Sequence, residues 1–131
     1  MSGAHKAVVV TMHPHRDRFL LILALLTFAL WLFSISTGRI LAAQSALRGN
    51  WFVGVAPSFL AGLTFAFWNS YLARSRPVMS AVLAAVIVTL AEVAQIFIPR
   101  YTADPWDAAA GIVGAALALP ILMWRARERM A

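Results

Sequence analysis

The sequence predicts an all-α membrane protein, folded as an antiparallel four-helix transmembrane bundle. Hydrophobic residues make up 62% of the 131 residues and charged residues only 12%, which is far from the composition of soluble domains. The apolar residues also fall into four long runs, which short polar connections separate. A helix needs about 20 apolar residues to cross about 30 Å of hydrocarbon, so these runs have the length of membrane spans.

The four predicted spans form a single domain at residues 19–124. They cover residues 19–35, 51–72, 78–98 and 106–124, between a polar N-terminal tail at 1–18 and a basic C-terminal tail at 125–131. The tightest connection lies at residues 73–77, where Pro77 marks a helix start. Because the connections are short, we expect sequential helices to pack as antiparallel neighbours.

The first span has a second interpretation, as a cleaved signal peptide. Basic residues precede it, and the small residues of the segment ILAAQ at 40–44 follow it. We favour a retained helix, because the apolar run is longer than a usual signal core and Arg39 would fall just before the cut.

Small residues recur every four positions in the second span and again in the fourth. Such a stripe allows another helix backbone to approach closely, so we expect packing faces here and no chemistry from the stripes themselves. The positions in the second span are Gly54, Ser58, Gly62, Ala66 and Ser70, and those in the fourth are Ala110, Gly111, Gly114, Ala115 and Ala118.

The basic residues predict the orientation. Cytoplasmic segments of membrane proteins carry an excess of Lys and Arg. The two tails and the loop between spans two and three hold eight of the eleven, and the opposite face holds only Arg39, Arg48 and Arg100. We therefore expect both termini in the cytoplasm and the segment at residues 98–107 on the outer side.

Several functions are excluded or disfavoured. The chain has no cysteine, so it cannot form disulfides, thiolate metal sites or cysteine nucleophiles. Its net charge of +6 comes from short clusters beside apolar runs, a pattern typical of topology signals and contacts with anionic lipids. We predict membrane lipids as partners, with no nucleic acid, cofactor or metal.

The most informative feature is an acid inside the third span. Glu92 lies seven residues before Pro99, which places it about 10 Å below the outer end of a helix that reaches residue 98. Gln95 shares its face and leads towards Arg100 and Tyr101. A carboxylate at this depth is costly unless it is paired or hydrated. It is either part of a site or a link that bonds neighbouring helices.

The segment DPWD at 104–107 opens the fourth span. Asp104 is a good N-cap, Pro105 suits the first helical position, and Asp107 can complete a capping box. Asp107 also lies on the small-residue stripe. It is therefore expected to turn towards the bundle interior, where it could meet Glu92.

At these residues the chain resembles the VanZ-like family of small membrane proteins. Glu92, Gln95, Pro99, Asp107 and Gly114 fall at the family's spacings without a gap. The resemblance covers about a quarter of the chain and implies a cell-envelope accessory protein of the bacterial cytoplasmic (inner) membrane. The name-giving member is linked to glycopeptide (teicoplanin) resistance.

The chain also departs from this family. Tyr101 stands where the family has an arginine, which is here one place earlier as Arg100, and Gly111 stands where asparagine is usual. The family's Asp-Lys and His of an earlier span are missing from the segment APSFLAG at 56–62.

Three functional hypotheses follow. The first is a binding protein for a polar, lipid-linked or glycopeptide-type ligand, in which Glu92, Gln95 and Asp107 accept hydrogen bonds, Arg100 meets phosphate or carboxylate, and Tyr101 stacks on a ring. The second is a membrane enzyme with Glu92 or Asp107 as general acid or base; no nucleophile constellation supports it, so we favour binding. The third is a subunit that associates with copies of itself or with a larger membrane partner.

Overall fold

The structure, a computed structural model, describes residues 17–43, 51–73, 76–98 and 103–130. Within these ranges the chain is all-helical. It forms α1 (Arg18–Ala43), α2 (Trp51–Ala73), α3 (Pro77–Gln95) and α4 (Pro105–Glu128). Three segments are long and apolar enough to cross a membrane, and they are Arg18–Thr37, Pro77–Gln95 and Pro105–Glu128. The prediction of four helices is confirmed.

The helix ends differ from the predicted span ends. Helix α1 continues to Ala43 and α4 to Glu128, because a helix does not stop where its apolar run stops. Helix α3 ends three residues earlier than predicted, at Gln95. The next three N–H groups bond to carbonyl groups only three residues back, a tighter turn that is common at helix ends. Glu92 therefore lies in the last turn of α3, less deep than its distance from Pro99 predicted.

Helix α2 is the centre of the bundle. It packs against α1, α3 and α4, and α3 also packs against α4. At one contact between α2 and α3, the Asn69 side chain donates to the Ser80 carbonyl oxygen at 3.4 Å. Within the described residues the backbone of α1 contacts neither α3 nor α4, so α1 joins the bundle through α2, and side chains at its start reach the end of α4.

Small residues make the contact between α2 and α4 close. A Cβ atom added to Gly62 would overlap the carbonyl oxygen of Gly111 and lie 2.9 Å from the backbone nitrogen of Ala115. Gly114 meets the backbone of Phe59 in the same way. Gly111 lies against Ser58, and Ala115, four residues later, lies against Gly62. Because the contacts advance along both helices together, α2 and α4 run in the same direction. The small residues predicted from the sequence therefore pack on each other.

The bundle has two unlike ends, which we name by their principal acids. At the Asp17 end, α1 and α3 begin and α2 and α4 end; the core is concentrated there, with Leu20, Ala24, Phe67, Ala118 and Leu122 almost fully buried. At the Glu92 end, α3 ends and α4 begins. There the described residues form a groove and a group of acids instead of a core.

Much of the outer surface is apolar. Large side chains such as Ile22, Phe33, Leu90 and Leu117 are more than half exposed. Contiguous exposed apolar surface of this kind marks a membrane or protein contact. Hydroxyl groups bond within their own helices, as when Thr64 donates to the Leu60 carbonyl oxygen at 2.7 Å. This local pairing suits side chains with no water nearby.

Candidate functional site

The Glu92 side chain joins the end of α3 to the start of α4. Two hydrogen-bond donors approach its carboxylate, the backbone N–H of Asp104 and the side chain of Gln95. Because Gln95 follows one turn later on the same helix face, α3 supplies one donor and α4 the other. Glu92 thus meets the positive end of the α4 dipole.

One oxygen of Glu92 is left over. Its Oε2 atom is buried and has no hydrogen-bond partner within the described part of the chain. Thr89, one turn earlier, is satisfied, since its hydroxyl donates to the Ala85 carbonyl oxygen at 2.8 Å. A buried acceptor without a donor costs free energy in proportion to the hydration it has lost. This atom is therefore where an added donor would stabilise the protein most directly.

Asp104 is the N-cap of α4. Its Oδ1 atom accepts from the Trp106 N–H at 2.9 Å, and Pro105 occupies the first helical position. The predicted capping box would direct the Asp104 N–H back to Asp107, but the carboxylate on which this N–H acts is that of Glu92 on α3.

Asp107 lies in the first turn of α4 and is half-buried. Its negative charge acts on Glu92, and the charge of Asp104 acts on both. The structure therefore brings Glu92, Gln95, Asp104 and Asp107 together across the α3–α4 connection. Among the described residues, no three such side chains are arranged to hold a metal ion. The group presents hydrogen-bond acceptors and negative charge.

Two predicted site residues cannot be placed in this arrangement. Arg100 and Tyr101 lie outside the described residues, as does Pro99. Glu92, Gln95 and Asp107 therefore define the site, with Asp104 beside them as the helix cap, and the predicted phosphate contact and ring contact stay predictions.

An apolar groove opens at the same end of the bundle. It has a volume of about 520 Å³ and runs between α2 and α4, with Ala56, Phe59 and Leu60 on one side and Trp106, Ala109 and Val113 on the other. The alanines leave the space, because they are too small to fill it. Trp106 links the groove to the acids, since its side chain lines the groove while its N–H is bound by Asp104.

A charge cluster at the opposite end of the bundle was not predicted from the sequence. The Oδ2 atom of Asp17 lies 2.9 Å from Nε of Arg125 and 2.7 Å from Nη2 of Arg129. Its Oδ1 atom accepts from the N–H groups of Phe19 and Leu20 and so caps α1. Burial acts to raise the pKa of Asp17, but the bonds from the two arginines and the backbone outweigh burial and lower that pKa from 3.8 to about 2.

The sequence does contain a signal for the capping role of Asp17. An aspartate directly before an apolar run is a typical N-cap, which identifies the cap but not the two arginines more than 100 residues away. Aromatic contacts complete the cluster. The Phe19 and Trp124 rings meet edge to face at 5.7 Å, and the Arg125 guanidinium lies 5.5 Å from the Phe19 ring centre.

Comparison of the chain with models of protein families, with curated proteins and with solved structures finds no match. The interpretation of the site therefore depends on its geometry and on the residues themselves.

Proposed function

We propose that this chain is a VanZ-like multi-pass protein of the bacterial cytoplasmic membrane that binds a polar or lipid-linked envelope ligand at the Glu92 end. The observation that carries the proposal is the buried Oε2 atom of Glu92, which lacks a donor in the described chain and lies beside Asp107 and Asp104. A ligand that supplies a hydrogen-bond donor would satisfy it. The proposed protein is a binding accessory whose occupancy affects glycopeptide susceptibility.

Membrane insertion is supported by three apolar helices and by the exposed hydrophobic side chains. In the proposed topology all four helices cross the membrane in alternating directions. Helices α2 and α4 then run in the same direction, as their contact requires. The start of α1 and the end of α4 then lie on the same side. That side carries the basic residues around positions 16–18, 74–76 and 125–129, which favours a cytoplasmic Asp17 end.

Single cysteines test this topology, because the natural chain has none. Met130 is 81% exposed at the Asp17 end, and Ala103 precedes the cap of α4 at the other end. With a membrane-impermeant thiol reagent on intact cells, Ala103→Cys should be labelled and Met130→Cys should not. The reverse pattern would place the candidate site in the cytoplasm and overturn the proposed location.

Glu92→Gln tests the site. It keeps the volume of the side chain and one acceptor oxygen but removes the negative charge, so the protein should accumulate normally and lose its effect on glycopeptide susceptibility. Asp104→Asn is the matched control, because it makes the same acid-to-amide change in the same cluster while keeping an N-cap. We expect this control to retain the phenotype.

Two results would count against the proposal. A silent Glu92→Gln would reduce Glu92 to a link between α3 and α4, since an amide serves that purpose as well. Recovery of the wild-type protein in mild detergent with a stoichiometric protein partner, and no retained lipid, would favour an assembly subunit.

A further inference from the structure

A recess lies on the surface of α4, in the half of the helix that leads to the Asp17 end. Its volume is about 430 Å³. Ala116 and Pro120 lie one turn apart on one face of the helix, and their small side chains leave room beside Leu119 and Met123. The residues that line this α4 recess are Ala116, Leu119, Pro120, Met123, Trp124 and Arg127.

The α4 recess has the length of one lipid leaflet. From Ala116 to Arg127 the helix advances eleven residues, which is about 16 Å, while half of a hydrocarbon layer of about 30 Å is about 15 Å. Arg127 lies in the last turn of α4, and Trp124, which is 51% exposed, lies almost one turn before it. Indole rings prefer the headgroup level of a membrane. The apolar part of the recess therefore lies at the depth of acyl chains and the arginine at the depth of headgroups.

No acidic side chain neutralises Arg127. The sequence has five acidic residues, and all five lie in the described part of the chain. Asp17 is bonded to Arg125 and Arg129. Glu128 is bonded to Arg125, and the other three acids lie at the Glu92 end. The exposed guanidinium of Arg127 is therefore left for an anion from outside the chain.

The Asp17 end as a whole has more positive than negative charge. Five arginines and two acids are described there. A guanidinium binds phosphate oxygens through paired hydrogen bonds, and the surplus of arginines favours a headgroup with net negative charge over one whose own amine offsets its phosphate. The five arginines are Arg18, Arg76, Arg125, Arg127 and Arg129.

We infer that the α4 recess binds one anionic phospholipid of the surrounding membrane. Its acyl chain lies along Leu119, Pro120 and Met123, and its phosphate is bound by Arg127 beside the Trp124 ring. The recess supplies apolar contact for the chain, and the arginine supplies the opposite charge for the headgroup. This inference uses the membrane location proposed above but does not depend on the Glu92 site.

The experiment uses the full-length protein in a mild detergent. Phosphatidylglycerol and phosphatidylcholine with identical chains are added in turn, and the bound lipid is counted by native mass spectrometry. Wild-type protein should retain the anionic lipid about fivefold better, the factor expected for one arginine at a membrane surface. Arg127→Gln should remove most of that preference.

Arg76→Gln is the matched control, because it removes the same charge from another exposed arginine of the Asp17 end that does not line the recess. We expect this variant to keep the preference. An equal loss in both variants would mean that the lipid responds only to diffuse positive charge, and would overturn the site. Wild-type protein without a preference for phosphatidylglycerol would overturn the headgroup assignment.

A second variant tests the acyl chain. Ala116→Phe fills the recess and should weaken retention of phosphatidylglycerol although Arg127 is kept, while Ala91→Phe, at an exposed alanine of α3 outside the recess, should bind as wild type does. Inorganic phosphate should not displace the lipid, because it lacks the apolar contacts. Undiminished binding by Ala116→Phe, or displacement by phosphate, would mean that Arg127 binds a phosphate group without an acyl chain in the recess.

This inference and the proposed function can fail separately. Glu92→Gln should retain phosphatidylglycerol as wild type does, because Glu92 lies at the other end of the bundle. If Glu92→Gln abolishes the susceptibility phenotype while Arg127→Gln retains lipid normally, the proposed function stands and the lipid site fails. If Glu92→Gln is silent while Arg127→Gln loses the lipid, the lipid site stands and the proposed function fails.

Discussion

The two ends of the bundle treat acidic residues in opposite ways. At the Asp17 end, one carboxylate with only 7% of its side chain exposed is bonded by two arginines and by the start of α1. At the Glu92 end, three carboxylates lie together, and one buried oxygen has no donor among the described residues. An acid whose carboxylate oxygens are both bonded has a sufficient structural role. An acid with an unsatisfied buried oxygen is a candidate for binding a hydrogen-bond donor.

The two ends also differ in packing, and the Asp17 end is the more tightly packed. The largest buried side chains, Phe67, Leu20 and Leu122, lie towards the Asp17 end, whereas the Glu92 end has the groove between α2 and α4. A close-packed end whose acid is fully bonded resists change, while an end where the described residues leave a groove and an unbonded carboxylate oxygen can accept a ligand without unfolding. The comparison therefore predicts that mutations will act differently at the two ends.

The contact between α2 and α4 holds both ends together, so breaking it should have the largest effect. Gly62→Ala would place a Cβ atom against the backbone of α4, where no flexible side chain can move aside. We expect a loss of about 2–4 kcal/mol in unfolding free energy, or failure to assemble. Thermal unfolding in one detergent measures this.

Gly54→Ala is the matched control, because nothing lies within 4 Å of the added Cβ atom. The better helix propensity of alanine should leave it equal or slightly more stable. Equal melting temperatures for the two variants would mean that the close α2–α4 approach does not exist.

The α2–α4 contact also shows what the sequence could and could not predict. Four apolar runs were enough to predict four helices, because span length and hydropathy are local properties. The small-residue stripes predicted packing faces but not their partners, since Gly62 has the same spacing signal whichever helix it meets. The pairing of two helices that run in the same direction depends on the whole arrangement.

The candidate site was predictable to a similar extent. The approach of Glu92 and Asp107 was expected, because each lies on an inward face at facing ends of a hairpin. The use of the Asp104 N–H by Glu92 was not, because capping rules consider only residues within the same helix. Likewise, Asp17 and Arg125 are 108 positions apart, and no local pattern relates them.

Asp17 should show the next largest effect. Asp17→Ala removes both the cap of α1 and the partner of two arginines, at a cost of about 2 kcal/mol. Asp17→Asn keeps an acceptor for the cap and should cost about 1 kcal/mol, since the arginines are partly exposed. Glu128→Gln is the control. It removes an exposed acid whose partner among the described residues is Arg125, and we expect almost no change.

The same carboxylate predicts a pH dependence. Its pKa is lowered to about 2 in the folded protein from 3.8, so its contribution is present above about pH 4 and is lost as the pH falls towards 2. The difference in melting temperature between wild type and Asp17→Asn should therefore shrink over that interval. A difference that stays constant from pH 6 to pH 2 would show that the ion pairs add nothing.

The N-cap of α4 should have a smaller effect. Asp104→Ala removes the acceptor for the Trp106 N–H, at a cost of about 1 kcal/mol. Asp104→Ser restores an acceptor and should recover most of that loss. Because Glu92 also meets the start of α4, we expect the helix to stay folded in both variants; a cost well above that of Asp17→Ala would contradict this.

Glu92→Leu should have the smallest effect on stability. Removal of this acid should leave stability equal or higher, whereas removal of Asp17 should lower it. Removing the acid at the Asp17 end leaves two arginines without their partner, but removing Glu92 relieves repulsion with Asp107 and eliminates a buried oxygen without a donor. The lost contacts with Asp104 and Gln95 offset part of that gain. The melting temperature in detergent should stay equal or rise, as is common when a costly site residue is replaced by an apolar one. A fall as large as that of Asp17→Ala, together with a silent Glu92→Gln, would make Glu92 a structural link and remove the difference between the ends.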